Sequence, residues 1–83
     1  MRLEDKTMRG SKEKMWVVFE GQCPIGFITK YRNTKHESHP YKACYYTKRP
    51  IKGQLAAFDM IGAFYEKDGR KRAMAAIAAK FED

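Results

Sequence analysis

The sequence predicts an α+β fold in which three or four antiparallel strands pack against one C-terminal helix. Short runs rich in aromatic and β-branched residues, "MWVVFEG", "PIGFITKYR" and "HPYKACYYTK", follow one another with turn residues between them. The closing segment "DGRKRAMAAIAAKFED" is rich in alanine and repeats apolar residues at helical spacing. Eighty-three residues, 43% of them apolar, suffice for one small domain whose elements share a single core.

The first fourteen residues, "MRLEDKTMRGSKEK", mix both charges without an apolar block. They read as a flexible arm, 1–14, ahead of a single domain over 15–83. "MWVVFEG" then forms a strand ending at Gly21, and "PIGFITKYR" pairs with it through a turn at Gly21 and Gln22. "HPYKACYYTK" follows the polar turn "NTKHES", with Pro40 tolerated at the strand's first position. "KRPIKGQ" is a turn. "LAAFDMIGAFY" is open to two readings: Leu55, Phe58, Ile61 and Phe64 recur every third residue, as in a helix, but Gly62 disfavours a helix interior, so a strand around Asp59 to Tyr65 is preferred. In the last segment Asp68 suits an N-cap, and Met74, Ile77, Ala78 and Phe81 form the stripe expected to dock on the sheet.

Charge is the most informative part of the composition. The net charge is +7, and between Thr29 and Gly53 seven Lys or Arg stand against one acid, Glu37. From Gln54 onward five bases balance five acids. The positive field therefore belongs to the middle of the chain, where it favours a polyanion or an acidic protein surface. If the hairpin between the second and third predicted strands centres near His36, residues of like parity meet. Lys30, Arg32, Lys42, Tyr46 and Lys48 then share a face, continued by Arg49 and Lys52 in the following turn. Such a face would neutralise phosphates, with Tyr46, and Tyr31 or Tyr41, placed to stack on bases or lie against sugars. Arg70, Lys71 and Arg72 open the helix, where backbone amides also favour anions.

Other chemistries find less support. Cys23, His36, His39 and Cys44 have ligand chemistry but lack the closely spaced pairs of a structural zinc site, so no metal or other cofactor is expected. Cys44 lies near Lys42 and Lys48 but has no base and orienting group to make it a nucleophile. No glycine-rich phosphate loop or paired carboxylates are present, and the chain is not expected to be an enzyme. Apolar runs fall far short of membrane-spanning length. With no export signal visible, a cytoplasmic location with free thiols is the expectation.

The run "IGAFYEKDGRKRAMAAIAAKF" resembles the third-strand-to-helix segment of AP2-type and phage-integrase arm-binding domains, where an apolar-glycine-x-aromatic strand leads into an alanine-rich helix. The resemblance covers roughly half of the domain. It implies a three-stranded sheet that enters the DNA major groove with the helix packed behind. The chain departs from that pattern in its long "TKRPIKGQLAAFD" connection and in lacking alternating arginines on the first hairpin, and both bear on base-specific reading. "GRKRAMAAIAAKF" is also similar to the end of double-stranded-RNA-binding domains, although the first helix of that fold is missing. In its compact basic build the chain looks like small bacteriophage accessory proteins. Taken together, these features predict a nucleic-acid-binding protein, for DNA ahead of RNA. The alternative is a phage-type inhibitor or adaptor that docks the same basic face on a host protein, such as a nucleic-acid-processing enzyme.

Overall fold

The computed structural model describes residues 1–32 and 38–83. Five strands, β1 (Arg2–Asp5), β2 (Glu13–Glu20), β3 (Cys23–Tyr31), β4 (Tyr41–Lys48) and β5 (Ala57–Phe64), precede one helix, α1 (Gly69–Glu82). Each strand pairs antiparallel with the next, so the sheet order is the chain order. The α+β class is as expected. The strand count among the described residues is five rather than three or four.

The added strand comes from the segment expected to be an arm. Charged side chains are poor strand formers, and Leu3 is the lone apolar residue of β1. What holds the strand is pairing: Leu3 sits opposite Val18, and Lys6 N–H donates to the Met15 carbonyl at 2.8 Å. The Arg2 guanidinium also reaches the Gly21 carbonyl and lies 4.5 Å from the Phe19 ring centroid. On this edge Arg2 and Lys6 both pair with Glu4, at 2.8 and 3.3 Å, and hold its carboxyl below the usual range. The other edge, β5, carries one charged residue, Asp59.

The β2–β3 hairpin turns at Gly21 and Gln22 as expected, with Gly21 at the positive φ of 61° that such a turn demands. Val18 faces Gly26 but Phe19 faces Pro24, so Ile25 is an extra residue in β3. The bulge redirects Ile25 into the core beneath the helix. Within residues 55–65 the strand reading is the observed one, over Ala57–Phe64 rather than Asp59 to Tyr65.

The register between β3 and β4 differs from the expected one. Thr29 faces Lys42, Phe27 faces Cys44 and Gly26 faces Tyr45, so odd residues meet even ones. The hairpin tip, including His36 and most of "NTKHES", lies outside the described residues. A slip of one residue exchanges the two faces. Both faces of β3 and β4 carry apolar side chains, which is why alternation alone did not select the register.

The packing gives the reason for the observed register. Trp16, Val18, Ile25, Ile28 and Ala43 form the core under α1 with Ala73 and Ile77, and Tyr41, Tyr45, Ile61 and Phe64 pack against them. Within the helix the buried residues are Gly69, Ala73 and Ile77, one seam at a spacing of four. The expected stripe shifts accordingly, for Met74 and Ala78 are half-buried and Phe81 is 40% exposed. Alanines on every side left the helix phase to Ile77. Asp68 occupies the N-cap position, but its carboxylate accepts from Arg72 Nε at 3.2 Å and caps no backbone amide. Among the described residues, no helix is long and apolar enough to cross a membrane.

Candidate nucleic-acid interface

The sheet has one face under α1 and one that no described element covers. The expected basic residues divide between these faces and between the two ends of β4.

Lys30 is on the helix side and only 8% exposed. Its ammonium donates to the His39 carbonyl at 2.5 Å and lies 5.1 Å from the Tyr41 ring centroid. An ammonium so placed satisfies itself internally. The expectation that Lys30 and Arg32 share an outward face with Lys42, Tyr46 and Lys48 is therefore corrected, because the β3–β4 register puts Lys30 on the opposite side and Arg32 lines a hollow with Asp5, Thr7 and Lys14.

Around Lys30 the fold assembles a basic group at the start of α1. Trp16 and Tyr41 lie with ring centroids 6.1 Å apart. The Lys14 ammonium and the Arg70 guanidinium stand 5.4 and 5.2 Å from the Trp16 centroid. Both cations thus lie over the ring of a largely buried Trp16 while their side chains stay exposed to water. Beside them a shallow hollow of about 490 Å³ is lined by Leu3, Tyr41, Lys67, Asp68, Arg70, Lys71 and Met74. A neighbouring one is lined by Asp5, Thr7, Lys14 and Arg32. Asp5 is held below the usual carboxylate range, first by hydrogen bonds from Thr7 and then by the charges of Lys14 and Arg32. Arg72 is exposed and pairs with Asp68, an i,i+4 contact worth about 0.3–0.5 kcal/mol.

Lys14 and Lys67 belong to this group although the sequence did not single them out. The signal for Lys14 was present, since it stands two residues before Trp16 on a strand and so shares its face.

Lys42 and Tyr46 lie half-buried on the uncovered face. The Tyr46 ring is 5.5 Å from that of Phe27, and burial beside Cys44 pushes its hydroxyl pKa upward. Lys48 ends β4, and Arg49 and Lys52 follow in the exposed connection to β5, where Gly53 has a φ of 83°. Seven strand steps separate Tyr41 from Lys48, roughly 23 Å at the usual rise. The structure thus presents two basic groups, one at each end of β4.

Among the described residues no three His, Cys, Asp or Glu side chains gather as a metal ion requires, and His36 lies outside those residues. Cys23 begins β3, whereas His39 contacts Tyr31 at the strand's far end, with ring centroids 4.6 Å apart. Cys44 is buried on the uncovered face, and desolvation raises its thiol pKa despite the opposing effect of Lys42. Native alkylation with iodoacetamide at pH 7.5 should therefore label half-exposed Cys23 and spare Cys44, read by peptide mass spectrometry. Preferential labelling of Cys44 would mean a reactive thiolate.

No family model matches the chain, and no curated protein or solved structure matches it.

Proposed function

We propose that this is a non-enzymatic, cytoplasmic nucleic-acid-binding protein, with DNA favoured over RNA. The observation that carries this is the gathering of Lys14, Arg32, Lys67, Arg70 and Lys71 from β2, the end of β3 and the start of α1 around the Trp16–Tyr41 pair. Among the described residues, Asp5 and Asp68 line the two hollows, and Asp68 is engaged by Arg72. Because the Asp68 side chain does not cap α1, the first-turn amides add to the attraction for a phosphate. Phosphate contacts of this kind supply affinity and register rather than base choice. The AP2-type resemblance suggests a further contact, through the uncovered sheet face, with Lys42, Tyr46, Lys48, Arg49 and Lys52.

Arg70→Glu with Lys71→Glu tests the reading. Both side chains are exposed, and acids in the first turn of α1 offset the lost Arg70–Trp16 contact, so the melting temperature should stay within about 3 °C of the wild type. Binding to labelled duplex DNA, followed by fluorescence anisotropy, should weaken at least tenfold, and the salt slope should fall by about two. Unchanged duplex affinity would reject the helix-start site.

A second reading, a phage-type adaptor that docks on a host protein, is favoured by Ile51 and Leu55 in the β4–β5 connection, 56% and 88% exposed. Backbone phosphates have no use for such side chains. Retention of one stoichiometric partner from nuclease-treated lysate, lost on Leu55→Asp, would support this reading over the first.

A further inference from the structure

An antiparallel sheet with one covered face usually turns polar side chains outward on the other. Here the uncovered face is apolar and aromatic. Val17, Phe27 and Cys44 form a second buried cluster with Met15, Phe19 and Tyr46 packed around it, all of them strand residues. Phe58 of β5 completes it, its ring 4.8 Å from Phe27 in an edge-to-face arrangement. Phe27 is sheltered by these neighbours, while Phe58 and Met60 stay 53% and 60% exposed. The presented surface is thus Phe58 and Tyr46 lying over Phe27, with Met60 beside them.

The charges around this surface identify its occupant. Lys42 stands on the same face, and Lys48, Arg49 and Lys52 lie at the adjoining end of β4 and in the turn beyond. At the far margin Arg2 lies over Phe19, and its neighbour Glu4 is neutralised by Arg2 and Lys6; Glu13, at the start of β2, is an acid on this face that Lys42 offsets in its effect on Cys44. A second copy of a chain with net charge +7 would bring like cations together at this rim. An aromatic floor with a cationic rim instead complements a ligand that has flat apolar rings and a negative backbone. Duplexes keep their bases stacked inside, so only an unpaired strand offers both at once.

We propose that the uncovered sheet face binds single-stranded nucleic acid, bases stacking on Phe58 and Tyr46 and phosphates meeting Lys42, Lys48, Arg49 and Lys52. This rests on the nucleic-acid reading above but gives the uncovered face a ligand of its own, an unpaired strand rather than a duplex. Sheets that display aromatics in this way take two or three bases. Three strand spacings of about 4.8 Å carry the surface from Phe58 on β5 to Phe19 on β2, roughly 14 Å, which is room for such a segment.

The test uses the full chain and labelled dT12, U12 and a duplex of the same length, with Phe58→Leu and Phe58→Trp as variants. Leucine keeps an apolar side chain but removes the ring, whereas tryptophan keeps a stacking surface. The expected result is binding of dT12 or U12 by the wild type, loss of about tenfold or more in Phe58→Leu, near-wild-type affinity in Phe58→Trp, and unchanged duplex binding in both. Comparison of dT12 with U12 shows which sugar is preferred. Single-strand binding unaffected by Phe58→Leu overturns the proposal, as does duplex binding without single-strand binding, and both outcomes leave the helix-start reading standing. Binding of no nucleic acid overturns both. Sedimentation of the same samples covers the remaining occupant: a wild-type dimer that Phe58→Leu dissociates overturns the proposal in favour of a second copy.

Discussion

Raising salt from 50 to 200 mM should weaken duplex binding by about a thousandfold, since each neutralised phosphate releases counterions and some half-dozen contacts are expected. Lys30 is excluded from that number because its ammonium is already bound to the His39 carbonyl. The slope also reports which groups engage. Lys14, Arg32, Lys67, Arg70 and Lys71 acting alone support a log–log slope of about 4.5, whereas adding Lys42, Lys48, Arg49 and Lys52 raises it to about 8. Anisotropy titrations at four or five salt concentrations distinguish these values. A flat response would mean that phosphates are not the ligand.

Ile77→Ala should be the most damaging single truncation in the helix. Ile77 has no exposed surface and closes the seam formed with Gly69 and Ala73. Removing its outer carbons should cost about 2–5 kcal/mol. For a domain of this size each kcal/mol shifts the melting temperature by roughly 4–8 °C, so a fall of about 10–30 °C is expected by differential scanning calorimetry. Gly26 lies beneath it: a Cβ there would stand 3.1 Å from Ile77 Cγ2 and 2.4 Å from the Cys44 carbonyl oxygen. Gly26→Ala is therefore also destabilising, and Ile77→Val should not rescue it, because the tighter clash is with the backbone of β4. A melting temperature for Ile77→Ala within about 3 °C of the wild type would mean that α1 does not dock through this seam.

The elements most legible in the sequence were those whose local chemistry and tertiary role agree. The Gly21–Gln22 turn needed a residue at positive φ, and aromatic and branched residues ran unbroken from Trp16 to Phe19 in β2 and, interrupted only by Gly26, from Ile25 to Thr29 in β3. β1 was illegible because its stability comes from pairing with β2 and from the Arg2–Glu4–Lys6 charges, neither of which local propensity reports. The β3–β4 register was illegible because Phe27 and Ile28, or Ala43 and Cys44, suit a core equally well. One residue of slip then carried Lys30 to the helix side and divided the expected basic face in two. The helix-start group was half legible: Arg70 and Lys71 were evident as a run, but their convergence with Lys14 and Trp16 depends on how α1 crosses the sheet.

The two margins of the sheet differ in what they permit. Beyond β1, an approaching strand meets Arg2, Glu4 and Lys6, whereas beyond β5 it meets a backbone flanked by Ala57, Phe58, Met60, Ala63 and the single charge of Asp59. Charged edges resist strand addition and apolar ones allow it. Lateral growth is thus directional. Two chains joined along β5 would leave a guarded β1 at either end, so addition terminates at two and an open-ended fibril has no site at which to elongate.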